Sequence, residues 1–137
     1  METVTQEKPY KIHGIELISF SIQPQQAREY SKDIFEFNIQ QEQKTNSEKR
    51  LIIVFTTITI RDAEKDSLLA NLQVACGFEI SSFESLIKKG KEENFLIPHD
   101  LNIALNRIAI ATARGILYAQ LRGSYLQNST LPILPIE

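Results

Sequence analysis

Between residues 68 and 80 the chain alternates: Leu68, Ala70, Leu72, Val74, Cys76, Phe78 and Ile80 recur at every second position, with Asn71, Gln73 and Glu79 between them. Side chains in a strand alternate sides, so this spacing predicts a long strand with one dry face. Three earlier segments carry the same signal. Residues 12–22 read as a first strand, with Ile18, Phe20 and Ile22 sharing a face. A second strand sets Phe35, Phe37 and Ile39 opposite Glu36, Asn38 and Gln40 until KTNSEK breaks the pattern with turn-forming Asn and Ser. A third, over 50–61, is rich in β-branched residues and turns through DAEKD into the fourth. Residues 23–32 hold Pro24 and adjacent glutamines; they cannot be a strand interior and are long for a hairpin loop.

After Ile80 the period becomes helical. The stretch SSFESLIKKG predicts a short helix capped by Ser81 or Ser82, with Glu84 or Ser85 in its first turn, Lys88 and Lys89 in its last, and Gly90 as its stop. Pro98 prevents continuation, and Asp100 is placed to cap a long helix running to about Leu121 and ending at Arg122-Gly123. On a helical wheel Leu101, Leu105, Ile108, Thr112, Gly115, Ile116 and Ala119 form one stripe, wide enough to dock on a sheet. Nearly opposite lie Ile103, Ile110, Leu117 and Leu121, flanked by Arg107 and Arg114, with Ala104, Ala109, Ala111, Ala113 and Ala119 allowing close approach of another backbone. A contiguous second stripe marks a partner surface, so Ile103, Arg107, Ile110, Arg114 and Leu117 are the expected interface of a homo-oligomer, a dimer or tetramer. The alternative is that the short helix or the tail of the same chain covers them.

The expected architecture is α+β: a four-stranded antiparallel β-meander with a short and a long C-terminal helix packed on one face. A chain of 137 residues is the size of a single domain, here 1–137, with 1–11 polar and disordered and 123–137 an extended tail.

Composition removes several classes of function. A net charge of −2 and a pI near 5.7 give no general attraction to phosphate backbones or anionic membranes, so no nucleic-acid partner is expected. One cysteine forms no intrachain bridge, the first residues lack the apolar core of a secretory signal, and no apolar run approaches a membrane span. These features predict a cytoplasmic protein without membrane insertion. Enzyme chemistry has little to stand on. His13 and His99 are the only histidines, Cys76 falls on the dry face of a strand as a small hydrophobe, and neither a glycine-rich phosphate loop nor metal-ligand spacing occurs. No cofactor, metal or catalytic residue is therefore expected. The pair His99-Asp100 reads more simply as a solvent-facing neighbour beside a helix cap than as an acid-base pair. Asn128-Ser129-Thr130 matters as a glycosylation acceptor only in a secreted protein, and LPILPIE, despite its P-x-x-P spacing, reads as an extended tail pinned by its Leu and Ile residues.

Three elements taken in order carry a resemblance. Ile18-Ser19-Phe20 is similar to a D-I-S-F-E first-strand element; LLANLQVACGFEISSFE resembles a fourth strand ending in a Gly-aromatic turn; and LRGSYLQNSTLPILPIE resembles an R-G-x-F-P-x-L-x-L-x-P-x-N-F ending. The chain so resembles the SecB preprotein chaperone family over nearly its whole length. The resemblance implies a tetrameric holdase, a dimer of dimers, that wraps unfolded preproteins in apolar grooves and delivers them to the translocase motor. It implies a peptide-binding groove at Phe20, Tyr30, Phe35, Phe37, Tyr118, Leu121 and Tyr125, although Phe35 and Phe37 read equally well as core. There are departures. Leu17 and Ser21 stand where the family has acidic residues for docking on the motor, IAIATARGILY lacks the family's Pro-Tyr-Ala-Arg-Glu signature, and no cationic tail follows. Client binding is thus expected to outlive binding to the motor, which should be weak or absent. Two alternatives stand beside preprotein export: a dedicated chaperone of a toxin-antitoxin or other single-client system, and a small hot-dog-like enzyme or ligand carrier. In the hot-dog arrangement the helix follows the first strand, whereas here it follows all four.

Overall fold

Strands form where the alternation is strongest; the first, second and fourth run slightly further than their patterns, and the third is shifted by one residue. A computed structural model describes residues 8–24, 35–64, 66–90 and 95–127. In chain order these form β1 (Tyr10–Ile22), β2 (Phe35–Asn46), β3 (Leu51–Asp62), β4 (Ser67–Ile80), α1 (Phe83–Leu86), β5 (Lys88–Lys89), β6 (Phe95–Leu96) and α2 (His99–Leu121). The architecture is α+β, a four-stranded antiparallel sheet with α2 packed on β3 and β4. Within the expected leader, loop and tail, residues 1–7, 25–34 and 128–137 lie outside the described residues, and Tyr30 with them.

The strand order is β1-β4-β3-β2, so only β2, β3 and β4 form the expected meander. β1 pairs with β4 at the far edge, so β1 and β2 lie on opposite edges of the sheet. Three strand spacings amount to roughly 14 Å, which a tight turn cannot span and a dozen residues can.

Three register shifts depart from the simple alternation. Register shifts in β1 between Ile12 and Gly14 and between Leu17 and Ser19 insert an extra residue each time, as a β-bulge does. Ile18 therefore borders a hollow on the far side of the sheet with Ile53, Phe55 and Ala75, while Phe20 and Ile22 face the core. A shift between Ile60 and Arg61 likewise leaves Leu69, not Leu68, buried in the core.

The long helix corrects the two-sided reading. Its buried residues include Leu101, Leu105, Ala109, Ala113, Leu117 and Leu121, every fourth position, with Ile110 beside them. Four residues advance a helix by about 40° beyond one turn, so this row winds round the helix as it crosses a twisted sheet. Leu101, Leu105 and Ala109 join a core cluster with Ile52, Val54, Cys76, Phe78, Ile80, Phe83 and Ile87. Ala113, Leu117 and Leu121 join another with Ile58, Ile60, Leu69, Ala70, Leu72, Val74 and Leu126. The two expected stripes are largely the two ends of one winding contact, and Ile110 and Leu117 are dry within a single chain. Between the clusters lies a polar pin: Gln43 Nε2 donates to Asn102 Oδ1 at 2.6 Å and to Asn106 Oδ1 at 2.8 Å. Gln41 Nε2 donates to the buried Thr56 Oγ1 and to the Asn106 carbonyl, each at 3.1 Å.

The ends of the helices need two corrections. Pro98, not Asp100, is the N-cap of α2; Asp100 lies in the first turn, where a carboxylate suits the helix dipole, and Asn102 N–H bonds the Pro98 carbonyl. The other end is as expected, with Gly123 at φ 81 just past it, a backbone that favours glycine. α1 is a single turn. Phe83 and Ile87 both enter the core, and the chain becomes extended at Ile87, so Lys88 and Lys89 pair with Leu96 and Phe95 rather than closing a helix.

Candidate functional site

Residues paired across an antiparallel ladder share a face, so β1 and β4 can be compared position by position. Ile12 lies opposite Phe78, Ile15 opposite Cys76, Leu17 opposite Val74, Phe20 opposite Leu72 and Ile22 opposite Ala70. The β4 partners are all at most 1% exposed. Yet Ile12 is 48% exposed, Ile15 49% and Leu17 38%. α2 packs on β3 and β4, which leaves the middle of the helix-side face of the edge strand open, while Tyr10, Phe20 and Ile22 nearer its ends pack against the core. The result is an apolar shelf, Ile12, Ile15 and Leu17, beside a dry core.

The shelf continues into an aromatic flank. Phe20, Ile22 and Tyr125 pack half-buried against the core at one edge, and the Tyr125 hydroxyl donates to the Gln23 carbonyl at 2.9 Å. Phe35, Phe37 and Ile39 pack half-buried at the opposite edge, on β2. Of the residues expected to bind peptide, Phe20 and Tyr125 both pack on the core cluster, with Tyr125 tied to Gln23 just past β1; Phe35 and Phe37 lie on the opposite edge strand, and Leu121 is core. Tyr118 is exposed on α2, and Tyr30 is outside the described residues. Of the residues expected at an oligomer interface, Ile103 and Arg114 are half-buried and Arg107 is exposed, whereas Ile110 and Leu117 sit in the intrachain core.

Ile12, Ile15 and Leu17 escaped the sequence reading. Only Ile15 and Leu17 alternate in the sequence; the strand order is what shows that β1 is an edge without a helix above it, and two bulges hide which residues share its face. On the far face, Lys44 Nζ lies 5.3 Å from the Phe55 ring centroid, beside the hollow at Ile18, Ile53 and Ala75. Towards the other end that face carries Thr57, Thr59, Asn71 and Gln73.

Cys76 lies 1% exposed beneath α2, and burial pushes its thiol pKa up, which suppresses the nucleophilic thiolate. His99 and Asp100 are exposed in the first turn of α2. Among the described residues no three His, Cys, Asp or Glu side chains form a group able to hold a metal ion, and no helix is long and apolar enough to cross a membrane.

No protein-family model and no curated protein matches the sequence. A solved structure does match the fold. The SecB-like chaperone Rv1957 of Mycobacterium tuberculosis, in complex with a ChAD peptide from the HigA1 antitoxin Rv1956, superposes with a TM-score of 0.66. The similarity spans 94% of this chain and 93% of that one at 13% sequence identity. The order of sheet and helix first suggested by LLANLQVACGFEISSFE and the Arg122-Gly123 stop is thus that of a SecB-like fold.

Proposed function

We propose that this chain is a SecB-like chaperone that holds non-native polypeptide segments on the β1 shelf and its aromatic flank. The observation that carries the reading is the bare row Ile12, Ile15 and Leu17 beside a fully buried neighbour, in a fold whose solved counterpart holds an antitoxin peptide. Apolar contact tolerates many sequences, so such a surface suits segments exposed by incomplete folding. Phe20 and Tyr125 extend it at one end; Tyr30, Phe35, Phe37 and Tyr118 are secondary candidates. The protein acts as a holdase without nucleotide or catalysis.

The client is a dedicated one, such as a toxin-antitoxin partner, in preference to general preprotein export. Leu17 lies on the helix side of β1, and Glu16 and Glu36 sit on opposite edge strands, an arrangement poorly suited to steering a basic motor. The working form is a cytoplasmic homo-oligomer in which Ile103, Arg107 and Arg114 on α2 meet a second chain. Sedimentation of the purified protein tests that assembly.

Light scattering from a refolding, aggregation-prone polypeptide tests the holdase reading. Stoichiometric amounts of this protein should suppress the scattering without nucleotide. Suppression no greater than that by an inert protein of equal mass would sink it.

A further inference from the structure

We propose that the hollow on the far face of the sheet is a binding site for one small, uncharged aromatic molecule, and that an occupied hollow pins β1 to β4. The inference stands without the chaperone reading.

The hollow has a floor and two walls, each with its own cause. Its floor is largely bare backbone: Gly14 on β1 pairs with Gly77 on β4, and Ala75 lies two residues along that strand on the same face. The two bulges of β1 make one wall. Their extra residues, His13 and Ile18, line the hollow, as happens when a bulge re-aims a side chain. Ile53 and Phe55 of β3 stand opposite. Neither glycine is imposed by backbone or packing. Beyond its chain neighbours, a Cβ at Gly14 would meet no heavy atom within 4 Å, and a Cβ at Gly77 would meet only the Gly14 carbonyl oxygen at 3.8 Å. Neither residue has a positive φ. Glycine inside a strand often marks the close approach of another group, and the space above this pair is open.

Size and charge select the occupant. The volume is about 460 Å³, inside the range of about 300–1,000 Å³ for small-molecule sites. Ten residues line the hollow, well short of the roughly 20–30 a side that a stable protein partner covers. Its apolar surface stops at Thr57 and Gln73 in one direction and at the Lys11–Glu79 ion pair in the other. Glu16 lines the β1 side, whereas Lys44 Nζ lies 5.3 Å from the Phe55 ring centroid on the β2 side. Neither belongs to an ion pair among the described residues, and their opposite signs favour a ligand without net charge. A planar ring suits the glycine floor and the Phe55 wall together, and a ring N–H can donate to the Glu16 carboxylate.

Calorimetric titration of the full chain with indole tests the site. One saturable site per chain is expected; no saturable heat up to the solubility limit of indole would overturn the proposal. Gly77→Val, which sets a side chain over the floor, should weaken indole binding at least tenfold. Ile18→Ser, which removes a wall outside the core clusters, should weaken it several-fold. Retained affinity in either variant, with the fold intact by circular dichroism, would overturn the location. Ile12→Ser with Leu17→Ser, on the other face of β1, should leave indole affinity unchanged; a loss there would assign indole to the shelf and overturn the hollow. Indole-3-acetate and tryptamine carry a similar ring with a negative or a positive charge, and each should bind several-fold more weakly. Binding of either as tight as that of indole would overturn the uncharged class. Amide exchange in β1 should slow several-fold at saturating indole, because β1 supplies one wall and the site exists only while β1 is docked. Unchanged exchange at saturation would overturn the pinning.

Discussion

β1 and β4 are neighbours in register, carry similar apolar residues on the same face, and differ sharply in what covers them. Ile12 and Phe78 sit opposite one another, one half exposed and the other fully buried. Residue type does not explain the contrast. The position of α2 over β3 and β4 does, and that position is set by the winding row from Leu101 to Leu121 and by the Gln43–Asn102–Asn106 pin. One strand is buried in the core, and its neighbour keeps apolar surface exposed.

The sharpest test of that contrast is truncation on either side of one ladder pair. Phe78→Ala should cost about 3–5 kcal/mol, as large core deletions do, while Ile12→Ala should cost roughly 1 kcal/mol or less. Urea unfolding midpoints measure both; equal losses would mean that the shelf is as structural as the core.

Next in size is the functional side of the comparison. The double change Ile15→Asp and Leu17→Asp should weaken polypeptide holding at least tenfold, equivalent to about 1.4 kcal/mol, while the fold persists by circular dichroism. Retained holding would move the client surface to the β2 flank at Phe35 and Phe37.

A smaller effect concerns what keeps α2 off β1. Gln43→Met removes the donor to two asparagine side chains and should cost about 1 kcal/mol. Amide exchange in β1 and β4 would show whether the helix has shifted; an unchanged unfolding midpoint and exchange pattern would leave the apolar row alone in charge of its position.

The smallest is the pH response of Cys76. Its folded-state pKa is raised by burial above the ordinary value of 9.0, so the unfolded chain releases the proton first as pH rises. Stability from this group is present below that value and is lost as pH climbs from it through the folded pKa. Cys76→Ala should abolish this part of the alkaline loss; an identical alkaline profile in variant and parent would contradict the burial argument.

Much of the fold was legible because its signals are local. Phe35, Phe37 and Ile39 alternate as a strand must, β3 announces itself by β-branched residues, and Gly123 stops α2. What was hidden depended on relations between distant segments. No pattern within residues 12–22 says that β1 pairs with β4 instead of β2, and a bulge at Ile18 reverses a face without any change in composition. The helix misled for a geometric reason: a fixed wheel treats Leu101 and Leu117 as facing opposite ways, whereas a row of every fourth residue turns steadily and uses both. Less of the candidate site was legible: Phe20 and Tyr125 were named and both pack on the core cluster near the end of β1, but the shelf itself exists only because of strand order.

That strand order also fixes a sequence of events during synthesis. β1 leaves the ribosome first, yet its ladder partners on β4 lie 48 to 70 positions later, so it must wait while the β2–β3 and β3–β4 hairpins can already close. The strand that offers an unfinished surface in the mature protein is thus an unsatisfied strand in the nascent one. The last pairing to form should be the first to open, and native-state hydrogen exchange in β1 should be faster than in β3.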